Sequence, residues 1–220
     1  MATAERPALE MSTPVLPGLD PATGAPVSDH GHFRGGEAGT RWKFTVEQYH
    51  RMAEAGIFDE DDRVELIDGD ILIMSPIGPP HASVNCRINL LLVQAFGERA
   101  IVSPGDPVRL DDHSEPQPDF SLLHPRDDFY KSAHPTPADV YLAIEIMDSS
   151  APYDRGKKLA KYARSGLAEV WLVDLGSERV EVYRRPEGEA YGEKRTLARG
   201  ESLAPEAFPD AVLGVDAILG

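Results

Sequence analysis

The sequence predicts an α/β (α+β) fold, because segments with the apolar spacing of helices alternate with short apolar runs typical of strands. The clearest strand pattern covers residues 140–147, which are nearly all apolar. The clearest helix pattern runs from about His81 to Phe96, where apolar residues fall on one face. At 220 residues and 41% hydrophobic composition, the chain is long enough for one packed domain of moderate size plus a tail.

Two regions are predicted within the chain: a disordered N-terminal arm at residues 1–40 and a folded domain at residues 41–220. The arm is rich in Pro, Gly, Ala and Thr and shows no hydrophobic periodicity. The domain opens with a helix, for which Thr45 is the N-cap and Gln48 completes a capping box.

A tight hairpin follows the first helix. The turn residues Asp68 and Gly69 join two apolar strands at 64–67 and 70–74, and an Asp-Gly turn matches the twist of paired strands. After the helix at 81–96, short strands alternate with one more helix, and the last two strands have the pattern of a β-meander. Their predicted ranges are strands 100–102, 107–110, 120–123 and 140–147, a helix at 153–165, and strands 169–173, 179–183 and 191–197.

Composition limits the classes of partner. No run approaches the roughly 20 apolar residues of a membrane span, and the N-terminus lacks the features of a signal peptide, so we expect a cytoplasmic protein without a membrane partner. The single cysteine, Cys86, excludes an internal disulfide and a thiolate-rich zinc site. The net charge of −15 argues against broad non-specific binding to nucleic acid, although it allows a local basic groove.

Two carboxylates occupy positions that indicate a cation site. Glu145 lies inside the apolar strand at 140–147, where an unpaired carboxylate costs several kcal/mol or becomes protonated. It therefore needs a Lys, an Arg or a metal ion as partner. Asp119 follows Pro118 and opens the strand at 120–123. Carboxylates on two strands, with lysines just downstream, are the parts of a Mg²⁺ site for phosphate chemistry, although Asp119 also fits a simple turn.

The predicted helix at 153–165 is basic within an acidic chain. Asp154, Lys158 and Lys161 share one face at helical spacing, beside an apolar stripe that includes Tyr162. A lysine in the first two turns can reach a water bound near Glu145. Spacing alone favours another interpretation, in which Asp154 and Lys158 form an ordinary surface pair.

From about Phe44 to Tyr183 the sequence resembles the Uma-type family of endonucleases, within the PD-(D/E)xK restriction-endonuclease-like superfamily. Each matching segment is weak alone, but their order and spacing make the joint signal strong. The segments are VELIDG at 64–69, Ser75-Pro76 with His81, Pro118-Asp119, AIEIMDSS at 143–150, YDRGKK at 153–158 with Tyr162, and EVWLVD at 169–174. The resemblance implies a restriction-endonuclease-like mixed β-sheet flanked by helices, with an added β-hairpin and meander.

The same resemblance implies metal-assisted hydrolysis of phosphodiester bonds in nucleic acid, with DNA the first expectation. It implies a catalytic site at Glu65, Asp119, Glu145 and Lys158, in which the three carboxylates hold Mg²⁺ or Mn²⁺. Met147 stands at the usual position of the motif lysine, and a lysine of the following helix replaces it in the family, for which Lys158 is the best match and Lys157 the second. Beside this implied site, the predicted substrate contacts are His81, Lys157, Lys161 and Tyr162.

Other interpretations stay open at this point. Glu65 fits a solvated strand residue, His81 a surface residue and Tyr162 a packing residue. Met147 and the acidic charge also fit a nuclease-derived interaction module that has lost catalysis, and a protein of charge −15 fits a metal-dependent hydrolase of a small phosphorylated substrate. A homodimer is compatible with the fold class, although the sequence shows no clear dimer face. His113, His124 and His134 lack the regular spacing of a zinc site and are interpreted as loop residues.

Overall fold

A computed structural model of the protein describes residues 41–59, 61–148 and 153–220, and the predicted arm at residues 1–40 lies outside these ranges. One compact unit runs from Trp42 to Gly220. Within the described ranges, none of the helices has the length and apolar character needed to cross a bilayer.

The described residues contain ten strands, four α-helices, one π-helical turn and two short 3₁₀ turns. The strands are β1 Val64–Ile67, β2 Asp70–Ile73, β3 Ile101–Pro104, β4 Phe120–Leu123, β5 Val140–Met147, β6 Glu169–Asp174, β7 Arg179–Glu187, β8 Ala190–Ala198, β9 Ser202–Leu203 and β10 Leu213–Gly214. The helices are α1 Val46–Glu54, α2 Pro79–Phe96, α3 Leu159–Arg164 and α4 Val215–Leu219, and the π turn is Asp154–Lys158. The 3₁₀ turns are Gly97–Arg99 and Pro137–Asp139.

A six-stranded mixed sheet forms the centre of the domain, in the order β3-β4-β5-β6-β7-β8. Strands β5 and β6 run parallel, whereas the other neighbours are antiparallel. Parallel strands need a crossover connection, and here the π turn and α3 lie between β5 and β6 in the chain. The β1–β2 hairpin and the β9–β10 pair are separate two-stranded sheets.

Strand β5 contributes to a core on each face of the sheet. Its even-numbered residues from Leu142 to Ile146 belong to the cluster that also includes α2 and α4 residues. Ala143 and Met147 belong to the cluster that includes Tyr162 of α3. Burial on both faces explains the nearly continuous apolar run in this strand. Side chains alternate along a strand, so Glu145 projects toward the side covered by α3.

The predicted mixed sheet flanked by helices is confirmed, and so are two local signals. Thr45 and Gln48 form the capping box at the start of α1, with reciprocal hydrogen bonds of 3.2 and 3.0 Å. Asp68 and Gly69 both have positive φ, at 49° and 75°, as the type I′ turn of the hairpin requires.

Two predicted elements differ from the structure. Residues 107–110, all of which the structure describes, form a loop and not a strand, because Pro107 and Pro116 lack the N–H groups of a regular ladder. Isolated backbone hydrogen bonds, such as the one from Val108 N to Pro116 O at 2.9 Å, hold the loop in place. The predicted helix at 153–165 begins with the π turn.

Candidate functional site

A cavity of about 460 Å³ lies between the β1–β2 hairpin, the start of α2, and the adjacent ends of β4 and β5. Gly78 caps α2 and Pro79-Pro80 occupy its first turn, which suits the fixed φ of proline. Five predicted site residues line the cavity: Glu65, His81, Asp119, Glu145 and Lys158.

The pairing of β4 with β5 brings Asp119 beside Glu145. Phe120 pairs with Ile144, so Asp119, one residue earlier, lies opposite Glu145, one residue later. Asp119 Oδ2 accepts a hydrogen bond of 2.7 Å from the Ile146 amide, which fixes the orientation of its carboxylate. Two acids that are far apart in sequence therefore become neighbours through the sheet.

Lys158 lies between two buried carboxylates. Its Nζ is 3.0 Å from Glu145 Oε1 and 3.2 Å from Glu65 Oε2. The three side chains are at most 6% exposed. The surface position that spacing favours for the pair of Asp154 and Lys158 is therefore wrong, because both residues are buried.

Further hydrogen bonds position the two carboxylates. The backbone N–H of Gln117 donates to Glu65 Oε2 at 3.2 Å, and the Tyr162 hydroxyl donates to Glu145 Oε1 at 2.5 Å. Among the described residues, Glu145 Oε2 accepts no hydrogen bond, and Glu145 lines the cavity. One oxygen of Glu145 thus stays available to another partner.

The π turn Asp154–Lys158 explains the direction of Lys158. In a π turn the N–H bonds to the carbonyl five residues earlier, as Leu159 N does to Asp154 O. Asp154 and Lys158 are both buried, whereas Arg155 points to Asp174 and Glu181. Single π turns within helices occur frequently at functional sites.

The cavity has a surplus of acid. Burial raises the pKa of the Glu145 carboxyl to about 8, Lys158 opposes the shift, and the charges of Asp119, Asp154 and Glu65 add to it. Burial lowers the pKa of Lys158, but the facing carboxylates outweigh burial, so the net shift of its pKa is upward. Such a site favours a proton or another cation near Glu145.

His81 adds a basic group beside Asp119. Its Nε2 is 3.2 Å from Asp119 Oδ1. The hydrogen bond to Asp119 raises the pKa of His81, although burial opposes that shift. Its Nδ1 is buried and has no hydrogen-bond partner among the described residues. Protonated His81 would place positive charge in the cavity.

The structure does not bring the other predicted substrate contacts to the cavity. Lys161 is buried and pairs with Asp68 and Asp111, at 2.8 and 2.5 Å. Tyr162 is fully buried, so it contacts Glu145 and cannot contact a substrate from solvent. The substrate contacts predicted for Lys161 and Tyr162 are thus at odds with their burial. Lys157 is exposed and does not line the cavity.

The donor chemistry fits a hard divalent cation at two of the three predicted carboxylates. Asp119 and Glu145 line the cavity with oxygens, the ligands that Mg²⁺ prefers. Glu65 is held by Lys158 and the Gln117 amide. Among the described residues, the three acids do not form a group whose ligand atoms all lie within 4.8 Å of one another.

Among the cavity residues that sequence reasoning did not assign to the site are Gln117 and Tyr153. Gln117 stands between Pro116 and Pro118, two residues before Asp119, and the following proline favours an extended backbone that projects the amide toward Glu65. That proline spacing was the available signal. The Tyr153 hydroxyl is buried without a hydrogen-bond partner among the described residues, and burial raises its pKa.

Comparisons with known proteins agree with this fold. The Uma2 family model, described as "Putative restriction endonuclease", matches residues 46–216. A crystal structure of an Anabaena variabilis protein described as a "putative nuclease" is similar with a TM-score of 0.64 and 16% identity. The alignment covers 80% of this chain and 97% of that chain, which shows a shared fold. No curated protein matches the sequence.

Proposed function

Since this chain belongs to the Uma2 family, described as "Putative restriction endonuclease", we propose that it is a metal-dependent nuclease that hydrolyses phosphodiester bonds in nucleic acid. One observation carries the proposal: Lys158 Nζ lies 3.0 Å from Glu145 Oε1 in the cavity that also contains Asp119. Carboxylate ligands together with an ammonium group are the components of phosphodiester hydrolysis assisted by a metal ion.

Asp119 and Glu145 would hold a Mg²⁺ or Mn²⁺ ion, because each has a carboxylate in the cavity. When bound, such an ion polarises a phosphoryl oxygen and makes water a better nucleophile. Glu65 has a different role in this proposal. It positions Lys158 together with Glu145, because its Oε2 already contacts both Lys158 Nζ and the Gln117 amide.

Lys158 supplies the positive charge of the proposed site. Its ammonium group forms ion pairs with Glu145 and Glu65. In this proposal the same group orients the attacking water or stabilises the anionic transition state. Met147, at the usual position of the motif lysine, is fully buried in the core, and in this proposal Lys158 supplies the ammonium group instead.

His81 is proposed to contact a phosphate of the substrate. Its pKa is raised by Asp119, which increases its positive charge at neutral pH. The side chain lines the cavity, so a protonated imidazole would attract a phosphate there while Nε2 stays near Asp119. Lys157, which is exposed, keeps a proposed role outside the cavity, at the phosphate backbone of a longer substrate.

Two observations favour a second candidate, a metal-dependent hydrolase of a small phosphorylated substrate. The cavity of about 460 Å³ falls within the range of small-molecule sites, roughly 300–1,000 Å³. The net charge of −15 opposes close approach of a long polyanion. This candidate uses the same residues and differs in the substrate.

We expect the full chain with Mg²⁺ or Mn²⁺ to cleave DNA. Asp119→Asn keeps an acceptor for the Ile146 amide but removes a charged ligand, so activity should fall by on the order of 100-fold. The matched control is Asp112→Asn, in an exposed residue outside the cavity, and it should cleave as the wild type does. RNA and bis(p-nitrophenyl) phosphate are assayed in parallel.

Each outcome separates the candidates. Turnover of the small diester without cleavage of nucleic acid supports the second candidate. A folded protein that turns over none of these substrates contradicts both and supports an interaction module that has lost catalysis. Equal activity in Asp119→Asn and Asp112→Asn would remove Asp119 from the site.

A further inference from the structure

Three side chains that can bind a metal converge outside the cavity. They are His50 of α1, Glu115 of the loop before β4, and His134 of the loop before β5. One ligand atom from each lies within 4.8 Å of the other two. His50 Nε2 is 2.6 Å from Glu115 Oε1, and the His50 and His134 rings lie edge to face with centroids 6.0 Å apart.

Glu115 is the member of this cluster whose buried carboxylate indicates a bound cation. Its side chain is 2% exposed. Oε1 contacts His50, but Oε2 is buried and has no hydrogen-bond partner among the described residues. Buried polar atoms nearly always have a partner, and buried carboxylates are paired or bind metals. Oε2 therefore points to a ligand that protein atoms do not supply.

The backbone places the three ligands independently of their side chains. The Val46 amide, at the start of α1, donates to Asp112 O at 2.8 Å, which ties the helix of His50 to the loop of Glu115. The Arg109 amide donates to Pro135 O at 2.8 Å, which ties the same loop to the residue after His134. The cluster thus belongs to a fixed scaffold.

We propose that His50, Glu115 and His134 bind a transition-metal ion of the zinc class, with water in the remaining position. Two imidazole nitrogens and one carboxylate form a donor set that Zn²⁺ accepts, whereas Mg²⁺ prefers oxygen ligands alone. His134 is exposed and Glu115 is buried, so the ion enters from solvent and neutralises the carboxylate beneath. None of the three residues lines the cavity, so this site is separate from the proposed nuclease site.

The ion would also stabilise the approach to the cavity. Glu115 precedes Gln117 by two residues and Asp119 by four, and prolines at 116 and 118 stiffen this segment. Holding the side chain of Glu115 restrains the segment that delivers the Gln117 amide to Glu65. We assign the ion a positioning role and not a catalytic one.

The test uses the full, untagged chain after treatment with a chelator. We expect one Zn²⁺ per chain in competition with a chromophoric chelator, and a rise in melting temperature on adding Zn²⁺. Glu115→Gln, which is nearly isosteric, and His134→Ala should each weaken binding by about tenfold or more. Co²⁺ in place of Zn²⁺ should give the intense visible absorption of a four-coordinate site, and His134→Ala should lose it.

Three control variants exclude other binding sites. His124→Ala removes an exposed loop histidine outside the cluster, Asp119→Asn removes an acid from the cavity, and a double variant replaces His30 and His32 of the N-terminal arm. All three should keep wild-type affinity for Zn²⁺. Retained binding in Asp119→Asn supports this site even if the chain cleaves no nucleic acid.

Two results would overturn the proposal. One is a wild-type chain that binds no Zn²⁺, and the other is equal Zn²⁺ affinity in the wild type, Glu115→Gln and His134→Ala. Loss of binding only in the His30 and His32 variant assigns the ion to the arm and also overturns it. Circular dichroism of the apo variants checks folding. If Glu115→Gln unfolds, the exposed His134→Ala decides the outcome.

Discussion

At the scale of single residues, Lys158 is held where water hardly reaches. Its amine contacts Glu145 and Glu65, and none of the three side chains is more than 6% exposed. Removing one member of a buried ion pair leaves the other charge without compensation, which costs more than the pair itself contributes. The proposed catalytic lysine is therefore also a structural residue.

We expect Lys158→Ala to lower the free energy of unfolding by about 3–5 kcal/mol, because Glu145 and Glu65 lose their cation. Urea denaturation measures the change. The adjacent Lys157 is exposed, so Lys157→Ala should change the free energy of unfolding by less than about 0.5 kcal/mol. Similar losses in both variants would contradict the buried network.

A second position that restricts the choice of residue is Gly69, in the turn of the β1–β2 hairpin. Its φ is +75°, and a Cβ built there would lie 2.7 Å from the Cβ of Lys43. Gly188, in the turn between β7 and β8, has a φ of +63° but nothing within 4 Å of a Cβ. The two glycines separate the effect of backbone conformation from that of a close contact.

We expect Gly188→Ala to cost about 1–2 kcal/mol through the left-handed backbone alone. Gly69→Ala should cost more, because the added methyl group also displaces Lys43. Thermal unfolding of the two variants measures the difference. An equal loss in both would mean that the Lys43 contact relaxes without cost.

At the scale of elements, an ion-pair cluster fastens the π turn to the sheet. Arg155 Nη2 lies 2.5 Å from Asp174 Oδ2 at the end of β6 and 3.1 Å from Glu181 Oε1 on β7. Burial opposes the shift, but hydrogen bonds from Arg155 and Ser177 lower the pKa of Asp174 to about 2. The turn that presents Lys158 thus depends on a charged carboxylate.

The stability effect of Asp174 should depend on pH. Its pKa in the folded chain is below the ordinary 3.8, so the carboxylate stabilises the fold above about pH 4, and this contribution is lost as pH falls toward 2. We expect Asp174→Asn to lower the free energy of unfolding at pH 7 by about 2 kcal/mol. The loss should vanish near pH 2, as measured by urea denaturation at several pH values.

The control for this prediction is Asp210→Asn. Asp210 pairs with Arg99 on the surface, where its side chain is 66% exposed, so we expect no measurable loss at any pH. A loss in Asp174→Asn that persisted at pH 2 would show that its origin is packing and not charge.

Local signals in the sequence predicted the elements well. The capping box at Thr45 and the Asp-Gly turn at Asp68 are formed by neighbouring residues, so the sequence contains all of their determinants. Helical spacing did not predict the burial of Lys158, because this burial depends on a π turn and on two acids that are distant in the sequence. The resemblance to the Uma-type family nevertheless selected Lys158 as the candidate.

Long-range groupings were harder to predict. His50, Glu115 and His134 come from a helix and two irregular loops, and no regular spacing links them in the sequence. Lys161 was predicted to contact the substrate. Its actual partners, Asp68 and Asp111, come from other parts of the chain. Sequence periodicity describes a single element and does not predict which other parts of the chain contact it.

At the scale of the whole molecule, the sheet and the hairpin contribute opposite walls to the cavity. Asp119 directly precedes β4 and Glu145 lies in β5, so the β4–β5 ladder and the hydrogen bond from the Ile146 backbone N–H to Asp119 restrain the separation of the two acids. Glu65 belongs to the β1–β2 hairpin, which is a separate sheet. Ile73, the last residue of β2, and Ile77, in the loop before α2, are 89% and 48% exposed and also line the cavity.

In the proposed enzyme, this division would let substrate preference diverge while the chemistry stays constant. Replacing Ile73 or Ile77 would change which substrates fit the cavity, while Asp119 and Glu145 keep their spacing. Members of one lineage can in this way acquire different targets through a few exposed apolar positions, each of which costs the fold little.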